Sequence, residues 1–294
     1  MRIAYVGAGN MGARFINRLI DAGYEVAVFD PRPEAVAAIA ARGGAAAPSA
    51  REAAQGADAV FASLPTPAVV EQVAFDLIPA LPDGGAFVDM STSPPDLARR
   101  IAAACEERGV GALDAPVSNG GVFVTVGGPR DLFERLRPAF EAMCERVLYV
   151  GEAGQGQVAK LARQYVSFTG LFTLLEGLLI AAKAGADVRQ VADFIAESVG
   201  ARGPGRSMER LYAGDFGEPA TSTAKLDIVA KDVALAVALA ESVGAPSGTG
   251  AEASRILRAA QAEGWGDYEC WIAARVLEAH AGVELRIDQP GRAE

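Results

Sequence analysis

One lysine stands out in this chain by its scarcity and by the segment that holds it. Only four lysines occur among 27 basic residues: Lys160, Lys183, Lys225 and Lys231. Arginine supplies charge equally well, but lysine can release its proton when burial or a neighbouring charge lowers its pKa. Lys160 ends a glycine-rich segment, residues 154–160, that leads into a long apolar run. This context predicts a proton-transfer residue, and a surface lysine kept by chance is the alternative.

A glycine motif near the amino terminus predicts a dinucleotide site. Residues 7–12 read GAGNMG, which matches G-x-G-x-x-G, and they follow an apolar strand and open a helix. The first glycine permits a tight turn, the second lets the backbone approach a pyrophosphate, and the third lets the helix pack on the strand. The free N–H groups of the helix then face the phosphates. The predicted cofactor contacts here are Gly7, Gly9, Asn10, Met11 and Gly12.

Two residues at the end of the second predicted strand bear on the choice between NAD and NADP. Asp30 ends that strand, where a carboxylate accepts hydrogen bonds from ribose hydroxyls and repels a 2′-phosphate. Arg32 has the opposite tendency, because a guanidinium can pair with that phosphate. The sequence therefore favours NAD and leaves NADP open.

The elements that must position these residues alternate in the first half of the chain. Short apolar strands separated by amphipathic helices predict crossover connections and a mostly parallel sheet. The predicted strands are Arg2–Val6, Glu25–Phe29, Ala59–Ser63, Ala86–Asp89, Gly111–Asp114, Phe123–Val126 and Arg146–Val150. The predicted helices include Ala13–Ala22, Pro33–Arg42 and Pro95–Arg108.

The second half of the chain reads as consecutive helices. The predicted breaks between them lie near Gly185, at Gly200–Gly205, at Gly214–Pro219 and at Gly244–Ser247. The pattern predicts an α/β, Rossmann-type domain over residues 1–155, followed by an all-α domain over residues 156–294. Gly200–Gly205 is interpreted as an ordered turn, and the tail after Gly282 as an extended end.

Composition argues against several classes of function and location. The formal charge of −10 argues against binding to nucleic acid or to an anionic membrane. A single histidine and the absence of clustered carboxylates argue against a metal site. Cys105, Cys144 and Cys270 predict free thiols in a reducing cytoplasm. Met1 leads directly into a strand, which leaves no room for a signal peptide, and the apolar run Tyr165–Ala182 is expected to be a buried interdomain helix.

Six ordered motifs resemble those of a known family over nearly all of residues 1–285. They are residues 7–12, Leu64-Pro65, Asp89–Thr92, Asp114–Ser118, Gly154–Lys160 and Lys231-Asp232. Together they are similar to the motifs of the β-hydroxyacid dehydrogenases, the family of 3-hydroxyisobutyrate dehydrogenase and tartronate semialdehyde reductase. The resemblance implies NAD(P)-dependent interconversion of a β-hydroxy acid and its semialdehyde or ketone. It also implies a fold like that of 6-phosphogluconate dehydrogenase.

The resemblance assigns roles at the reacting end of the site. Lys160 matches the catalytic lysine, which would take the hydroxyl proton in oxidation and return it in reduction. Ser118 matches the substrate-binding serine, although a simple turn residue is the alternative. Its hydroxyl and the amides of Asn119, Gly120 and Gly121 are expected to hold the substrate carboxylate.

The resemblance assigns further residues to the cofactor. Leu64 and Pro65 match a loop that lies against it, and Thr92 matches a contact to its nicotinamide half. Lys231 is expected to contact cofactor or substrate rather than to transfer a proton. Ordinary turns at strand ends are the alternative for the two loops, and their place at the carboxyl ends of parallel strands favours the cofactor.

Two departures from the family pattern affect the substrate pocket. Gln164 stands where the family has an asparagine that orients the substrate. Glutamine keeps the amide but adds a methylene, so its hydrogen bond must point in a different direction. Gln164 is still assigned to catalysis and substrate binding. Arg163, before it, is a candidate cation for a second acidic group. The segment after Ser118 is shortened to residues 119–125, which predicts a more open pocket or a larger substrate.

Two alternatives to a hydroxyacid dehydrogenase stay open. An imine reductase would keep the cofactor site, but by the resemblance that class has another residue in place of Lys160. A non-catalytic NAD(P)-binding scaffold or sensor is supported only by Gln164 and the shortened loop. The helical domain is expected to form a homodimer or homotetramer.

Overall fold

The alternation of strands and helices in the first half of the chain produces a mostly parallel sheet. In this computed structural model, which describes residues 1–198, 224–244 and 247–285, the sheet order is β3-β2-β1-β4-β5-β6-β8-β7, with β9 paired to β8. The strands are β1 Arg2–Val6, β2 Glu25–Phe29, β3 Ala45–Ala46, β4 Ala59–Ala62, β5 Ala86–Asp89, β6 Gly111–Asp114, β7 Val117–Ser118, β8 Phe123–Gly127 and β9 Arg146–Gly151. Strand β8 is antiparallel to β6 and β7, and the other pairs are parallel.

Helices connect the strands and continue into the second half. The described α-helices are α1 Asn10–Asp21, α2 Pro33–Ala40, α3 Ala50–Ala54, α4 Pro67–Leu77, α5 Pro95–Glu107, α6 Arg130–Met143, α7 Gln155–Lys183, α8 Val188–Ser198, α9 Leu226–Ser242, α10 Gly248–Ala262 and α11 Ala274–Ala281. Proline at the first position of α2, α4 and α5 fits a helix start, where its missing N–H leaves no gap. The α/β domain followed by helices confirms the predicted fold class.

The sheet is covered on both faces. Successive residues of β1 alternate between two buried clusters, with Tyr5 in one and Ala4 in the other. Helix α1 covers the first face through Phe15 and Leu19, which are fully buried. Each large apolar side chain removed from water in this way contributes roughly 1.5 to 3 kcal/mol. Burial on both faces explains why these strands are apolar throughout rather than at alternate positions.

The parallel arrangement brings the functional segments to one edge. Strands β1, β4, β5 and β6 are hydrogen-bonded side by side and point the same way, so their carboxyl ends meet. The predicted cofactor and substrate segments begin directly after those ends. Strand β1 lies where the chain reverses its order across the sheet, which is where such sheets bind ligands.

The chain divides into two compact units, Met1–Ala162 and Arg163–Glu294. The described part of the second unit is helical around an apolar cluster that includes Leu175, Val233 and Leu257. The division lies inside α7, so the domain boundary after residue 155 stays a proposal.

Helix α7 is long and apolar enough to cross a membrane by length and composition, with a mean hydropathy of 1.6. One such helix is weak evidence, because buried core helices have the same composition. Leu175 and Leu178 of α7 are fully buried in the second unit's cluster. This burial shows part of α7 acting as a core helix.

Some boundaries differ from the predictions. Helix α1 begins at Asn10 rather than Ala13, because the glycine motif itself forms its first turn. Strands β3 and β7 were not predicted, since two residues carry no alternation. The break near Gly185 separates α7 from α8, and the break around Gly244 separates α9 from α10. The predicted breaks at 200–205 and 214–219 lie outside the described residues, as does the tail beyond residue 285.

Candidate cofactor and active site

The amino terminus of α1 is left open. Gly9 occupies the cap position with φ −69° and ψ −172°, and no side chain accepts a hydrogen bond from the first turn. An uncapped terminus leaves N–H groups and a partial positive charge for an anion. A Cβ atom on Gly9 would meet only Arg32 Nη2, at 3.7 Å, within 4 Å. The terminus therefore has room and donors for a phosphate.

The other two glycines of the motif are required by packing. Gly7 has φ +95°, and a Cβ atom on it would lie 2.2 Å from the Ser63 carbonyl oxygen. A Cβ atom on Gly12 would lie 1.8 Å from the Gly7 carbonyl oxygen. Only glycine fits these contacts, because both neighbours are backbone atoms. This tight turn holds the start of α1, with Asn10 and Met11, at the end of β1.

Asp30 and Arg32 form a single paired group at the end of β2. The Asp30 carboxylate accepts hydrogen bonds from the Ala8 N–H at 2.7 Å, the Arg32 N–H at 2.9 Å and Arg32 Nε at 2.9 Å. Burial opposes its ionised form, but the bonds from Arg32 and Ala8 outweigh burial and hold the pKa of Asp30 below its ordinary value. The carboxylate is thus negative and lies directly beside the glycine turn.

The loops after β4 and β5 are joined to each other. The Leu64 N–H donates to Ser91 Oγ at 2.8 Å, and the Ser63 N–H donates to the Val6 carbonyl at 2.9 Å. Leu64 and Thr92 are half-buried, and Pro65 is exposed. The predicted cofactor residues of these loops therefore share one edge of the sheet with the glycine turn.

The segment after Ser118 forms a left-handed turn. Asn119, Gly120 and Gly121 have φ values of 51°, 63° and 88°. Three successive residues in this region form a turn whose backbone N–H groups are candidate donors to an anion. Arg14 of α1 donates to the Gly120 carbonyl at 2.6 Å. The turn is thereby tied to the helix that begins at the glycine motif.

Lys160 lies against this turn. Its Nζ donates to the Val117 carbonyl at 2.7 Å and lies 3.5 Å from Ser118 Oγ. The side chain is 6% exposed, so its ammonium group is almost removed from solvent. The two residues predicted to handle the substrate hydroxyl and carboxylate are thus adjacent.

Two buried aspartates end strands β5 and β6, and the sequence motifs that contain them assigned them no role of their own. Asp114 accepts hydrogen bonds from the N–H groups of Gly154 at 2.7 Å and Gln157 at 2.8 Å. Asp89 is its register partner on β5 and accepts from the Ser91 N–H at 2.9 Å. Burial raises the pKa of both carboxyls to about 6. The available signal was a carboxylate at the end of each of two apolar strands.

Gln164 and Lys231 belong to a polar cluster inside the second unit. Gln164 Nε2 donates to Asp232 Oδ2 at 2.6 Å, and its Oε1 accepts from Arg163 Nη1. Lys231 Nζ lies 3.2 Å from Asp232 Oδ1. The Gln164 amide thus has protein partners at both ends. The predicted site residues fall into two groups, one in each unit.

Other side chains add no second site. Cys105, Cys144 and Cys270 are free and buried, and burial raises the pKa of each thiol to about 12. Among residues 1–198, 224–244 and 247–285, no three His, Cys, Asp or Glu side chains gather as metal ligands.

Comparison with known proteins decides the family. Residues 2–151 match the family described as the NAD binding domain of 6-phosphogluconate dehydrogenase. Residues 154–277 match the family described as NAD-binding of NADP-dependent 3-hydroxyisobutyrate dehydrogenase. The chain belongs to the β-hydroxyacid dehydrogenase family. It is an NAD(P)-dependent oxidoreductase that interconverts a β-hydroxy acid and the corresponding semialdehyde or ketone.

Relatives of this β-hydroxyacid dehydrogenase match over nearly the whole chain. An NAD-dependent L-serine dehydrogenase of Pseudomonas aeruginosa is 31% identical, over 96% of this chain and 99% of the relative. A probable 3-hydroxyisobutyrate dehydrogenase of Mycobacterium tuberculosis is 34% identical, over 86% of this chain and 90% of the relative. The shared region thus includes both units.

Solved structures agree with this assignment. The 3-hydroxyisobutyrate dehydrogenase of Mycobacterium tuberculosis with L-serine has a TM-score of 0.85 and 32% identity, covering 94% of this chain and 98% of that one. An imine reductase from Myxococcus stipitatus with NADP⁺ has a TM-score of 0.63 and 21% identity, covering 94% of this chain and all (100%) of that one. The second likeness shows a shared fold alone.

Proposed function

We propose that this dehydrogenase oxidises a small β-hydroxy acid with NAD as its preferred cofactor, and that Lys160 is the general acid and base. The observation that carries the proposal is the contact of Lys160 with the Ser118 turn. A nearly buried amine beside a hydroxyl and the amides of a left-handed turn joins a proton-transfer group to a candidate anion site. A lysine kept only for surface charge would not need this position.

The residues divide the reaction between them. A bound NAD would supply the acceptor for the hydride that leaves the hydroxyl carbon of the substrate. Lys160 Nζ in its neutral form takes the proton of the substrate hydroxyl as the C–O bond becomes a carbonyl, and its ammonium form returns that proton in reduction. Ser118 Oγ and the amides of Asn119, Gly120 and Gly121 hold the carboxylate, which fixes the distance between the hydroxyl and Lys160. Gln164 keeps its proposed role in orienting the substrate.

The cofactor contacts follow from the open terminus of α1. Its N–H groups, with the backbone of Gly7, Gly9 and Gly12, hold the diphosphate, since Gly9 leaves space that a side chain would fill. Asn10 and Met11 continue the same surface.

NAD preference follows from the ionised Asp30. Its carboxylate favours ribose hydroxyls and repels a 2′-phosphate. The Arg32 guanidinium is already paired with it, which weakens its attraction for that phosphate. Leu64, Pro65, Thr92 and Lys231 complete the proposed cofactor contacts.

The substrate class is supported by the relatives. L-serine and 3-hydroxyisobutyrate, the compounds in their names, share a hydroxyl β to a carboxylate. In the proposed site, Lys160 acts on the hydroxyl and Ser118 binds the carboxylate, so the rest of the substrate is not specified by these two residues. The segment after Ser118 is shortened, and the assay below measures which size of substituent the enzyme accepts.

We also propose a cytoplasmic homodimer or homotetramer. Three buried free thiols suit a reducing compartment. Light scattering of the purified protein measures the oligomeric state, and a monomeric mass would contradict this part of the proposal.

The test is reduced-cofactor formation across a panel of β-hydroxy acids, with NAD and NADP compared. The panel runs from 3-hydroxypropionate, 3-hydroxyisobutyrate, glycerate and L-serine to aryl-substituted acids, with a cyclic imine assayed in the reductive direction. Turnover of at least one hydroxy acid, faster with NAD, is the expected result. Turnover of the imine alone, or cofactor binding without turnover of any member, would contradict the proposal.

A further inference from the structure

We propose that Asp114 is a positioning residue for this reaction, because it closes the amino terminus of α7 and thereby fixes Lys160 against Ser118. The inference rests on the proposed role of Lys160. It assigns a function to a carboxylate that touches neither the expected cofactor contacts nor the substrate turn.

Both carboxylate oxygens of the buried Asp114 accept hydrogen bonds. Its side chain is 3% exposed, and its two oxygens accept from two different backbone N–H groups of the α7 start, Gly154 and Gln157. A helix start leaves such N–H groups without internal partners, and a negative charge there is favoured by the helix dipole. Asp114 therefore acts as the cap of α7, although it lies on a strand far away in sequence. We call this arrangement the Asp114 cap.

The second observation is that one short segment contacts α7 twice. Residues 114–118 begin with the Asp114 cap and end with Val117 and Ser118, which Lys160 contacts through its Nζ. The intervening Pro116 has a fixed φ angle, which stiffens the segment. The cap at one end thus sets the position of Lys160 at the other.

The segment after β5 and strand β8 hold the same turn of α7. Gln157 donates from Nε2 to the Ser91 carbonyl at 2.9 Å and accepts at Oε1 from the Ser93 N–H at 3.0 Å. Thr125 Oγ1 donates to the Gly156 carbonyl at 3.1 Å. The start of α7 is therefore anchored to the segments after β5 and β6 and to β8, with Asp114 at the centre.

The cap also explains the glycine spacing before Lys160. A Cβ atom on Gly156 would lie 2.4 Å from the Asp114 carbonyl oxygen and 2.7 Å from the Thr125 carbonyl oxygen. Both are backbone atoms, so α7 can approach the strand ends this closely only with glycine at that position. The motif that contains Lys160 is thus built to dock a helix start on the sheet.

Asp89 provides a matched control. It is the buried register partner of Asp114, but its partners are the Ser91 N–H and the Ser93 hydroxyl, at 2.9 Å and 3.1 Å. A hydroxyl can donate or accept, so asparagine in place of Asp89 can satisfy both partners. Asparagine in place of Asp114 cannot, because its NH₂ group would face an N–H donor.

The test compares Asp114→Asn with Asp89→Asn in the full-length protein. With the best hydroxy acid of the panel, we expect kcat to fall by about 10- to 100-fold in Asp114→Asn only, since an error of about 1 Å in placement has effects of this size. The Kd for NAD is expected to stay unchanged in both. Equal kcat values in the two variants, or loss of NAD binding in Asp114→Asn, would overturn the positioning role.

A second readout does not depend on turnover. Hydrogen exchange at the amides of residues 154–160 is expected to speed up in Asp114→Asn and not in Asp89→Asn. If it does so while the acid panel gives no turnover, the proposed function fails and the Asp114 cap stands. If Asp114→Asn does not fold, Thr125→Val removes one anchor with little change in volume. It is expected to lower kcat severalfold, and an unchanged kcat would overturn the proposal.

Discussion

Helices α1 and α7, two of the helices that begin at the functional edge of the sheet, have opposite amino termini. Helix α1 starts at Gly9 without any side-chain cap, whereas α7 starts with its N–H groups bound by Asp114. The open terminus can attract an anion, and the closed terminus cannot. One helix start is thus left open for the proposed cofactor, and the other holds Lys160, the proposed proton-transfer residue.

The carboxylates near this edge differ in the same way. Burial opposes the ionised form of Asp30, but hydrogen bonds from Arg32 and Ala8 outweigh it and lower its pKa. In Asp89 and Asp114, at the ends of β5 and β6, burial dominates and raises the pKa. The three carboxylates thus have different roles. Asp30 presents a negative charge at the expected ribose position, whereas Asp89 and Asp114 are buried and hold the segments around them by hydrogen bonds.

The largest expected effect comes from closing the open terminus. Gly9→Asp places a carboxylate where the cofactor diphosphate is proposed to bind, and a juxtaposition of like charges costs several kcal/mol. We expect the Kd for NAD, measured by calorimetry, to rise by about 100-fold or more. The control is Gly9→Ala, which adds a methyl group without a charge and so measures the crowding of the diphosphate apart from charge repulsion. An unchanged Kd in Gly9→Asp would show that the diphosphate binds elsewhere.

The next largest effect is a difference in the free energy of unfolding between alanine variants at the amino termini of α7 and α1. Gly156→Ala forces a Cβ atom against two backbone oxygens at the closed terminus, and overpacking of this kind costs about 1 to 3 kcal/mol. Gly9→Ala meets no such contact and is expected to change the free energy of unfolding by well under 1 kcal/mol. Urea denaturation of both variants measures the difference. An equal loss would mean that the close approach of α7 carries no constraint.

The preference for NAD over NADP tests the role of Asp30 separately from that of the α1 amino terminus. The N–H groups of α1 serve NAD and NADP alike, so only the ribose contact distinguishes them. Asp30→Asn removes the charge and keeps an acceptor for the Ala8 N–H. Since hydrogen bonds to charged groups contribute about 1.5 to 3 kcal/mol, the ratio of kcat/KM for NAD over NADP is expected to fall by about tenfold or more. An unchanged ratio would assign selectivity to Arg32 or another group.

The smallest expected effect is a pH dependence of the free energy of unfolding that arises from the buried Asp89 carboxyl. A carboxyl with a raised pKa contributes stability that is complete below its ordinary value of 3.8 and is lost as pH rises through about 6. Between about pH 5 and pH 8, the free energy of unfolding should fall by about 1 to 2 kcal/mol more in the unmodified protein than in Asp89→Asn. Parallel curves would show that Asp89 is not the proton-binding group.

The same comparison shows how far the sequence could predict this site. The open terminus was predicted because every residue that makes it lies within residues 7–12, and Asp30 follows at a fixed strand end. The pairing of Lys160 with Ser118 came from motif resemblance rather than from spacing. The Asp114 cap was not predicted, because Asp114 and Gly154 are 40 residues apart and only the sheet brings them together. Strand β7 was missed for lack of a pattern.

We propose above all that helix α7, whose amino terminus is capped by Asp114, positions Lys160 for proton transfer. Helix α1, whose amino terminus is uncapped, binds the cofactor in this proposal. The direct test is Lys160→Ala, with the exposed Lys183→Ala on the same helix as its control. General acid–base residues contribute about 10²- to 10⁴-fold, so kcat for hydroxy-acid oxidation should fall by that factor in Lys160→Ala. The Kd for NAD should stay within about twofold, because binding is assigned to α1. A normal kcat, or a loss of NAD binding, in Lys160→Ala would contradict the account.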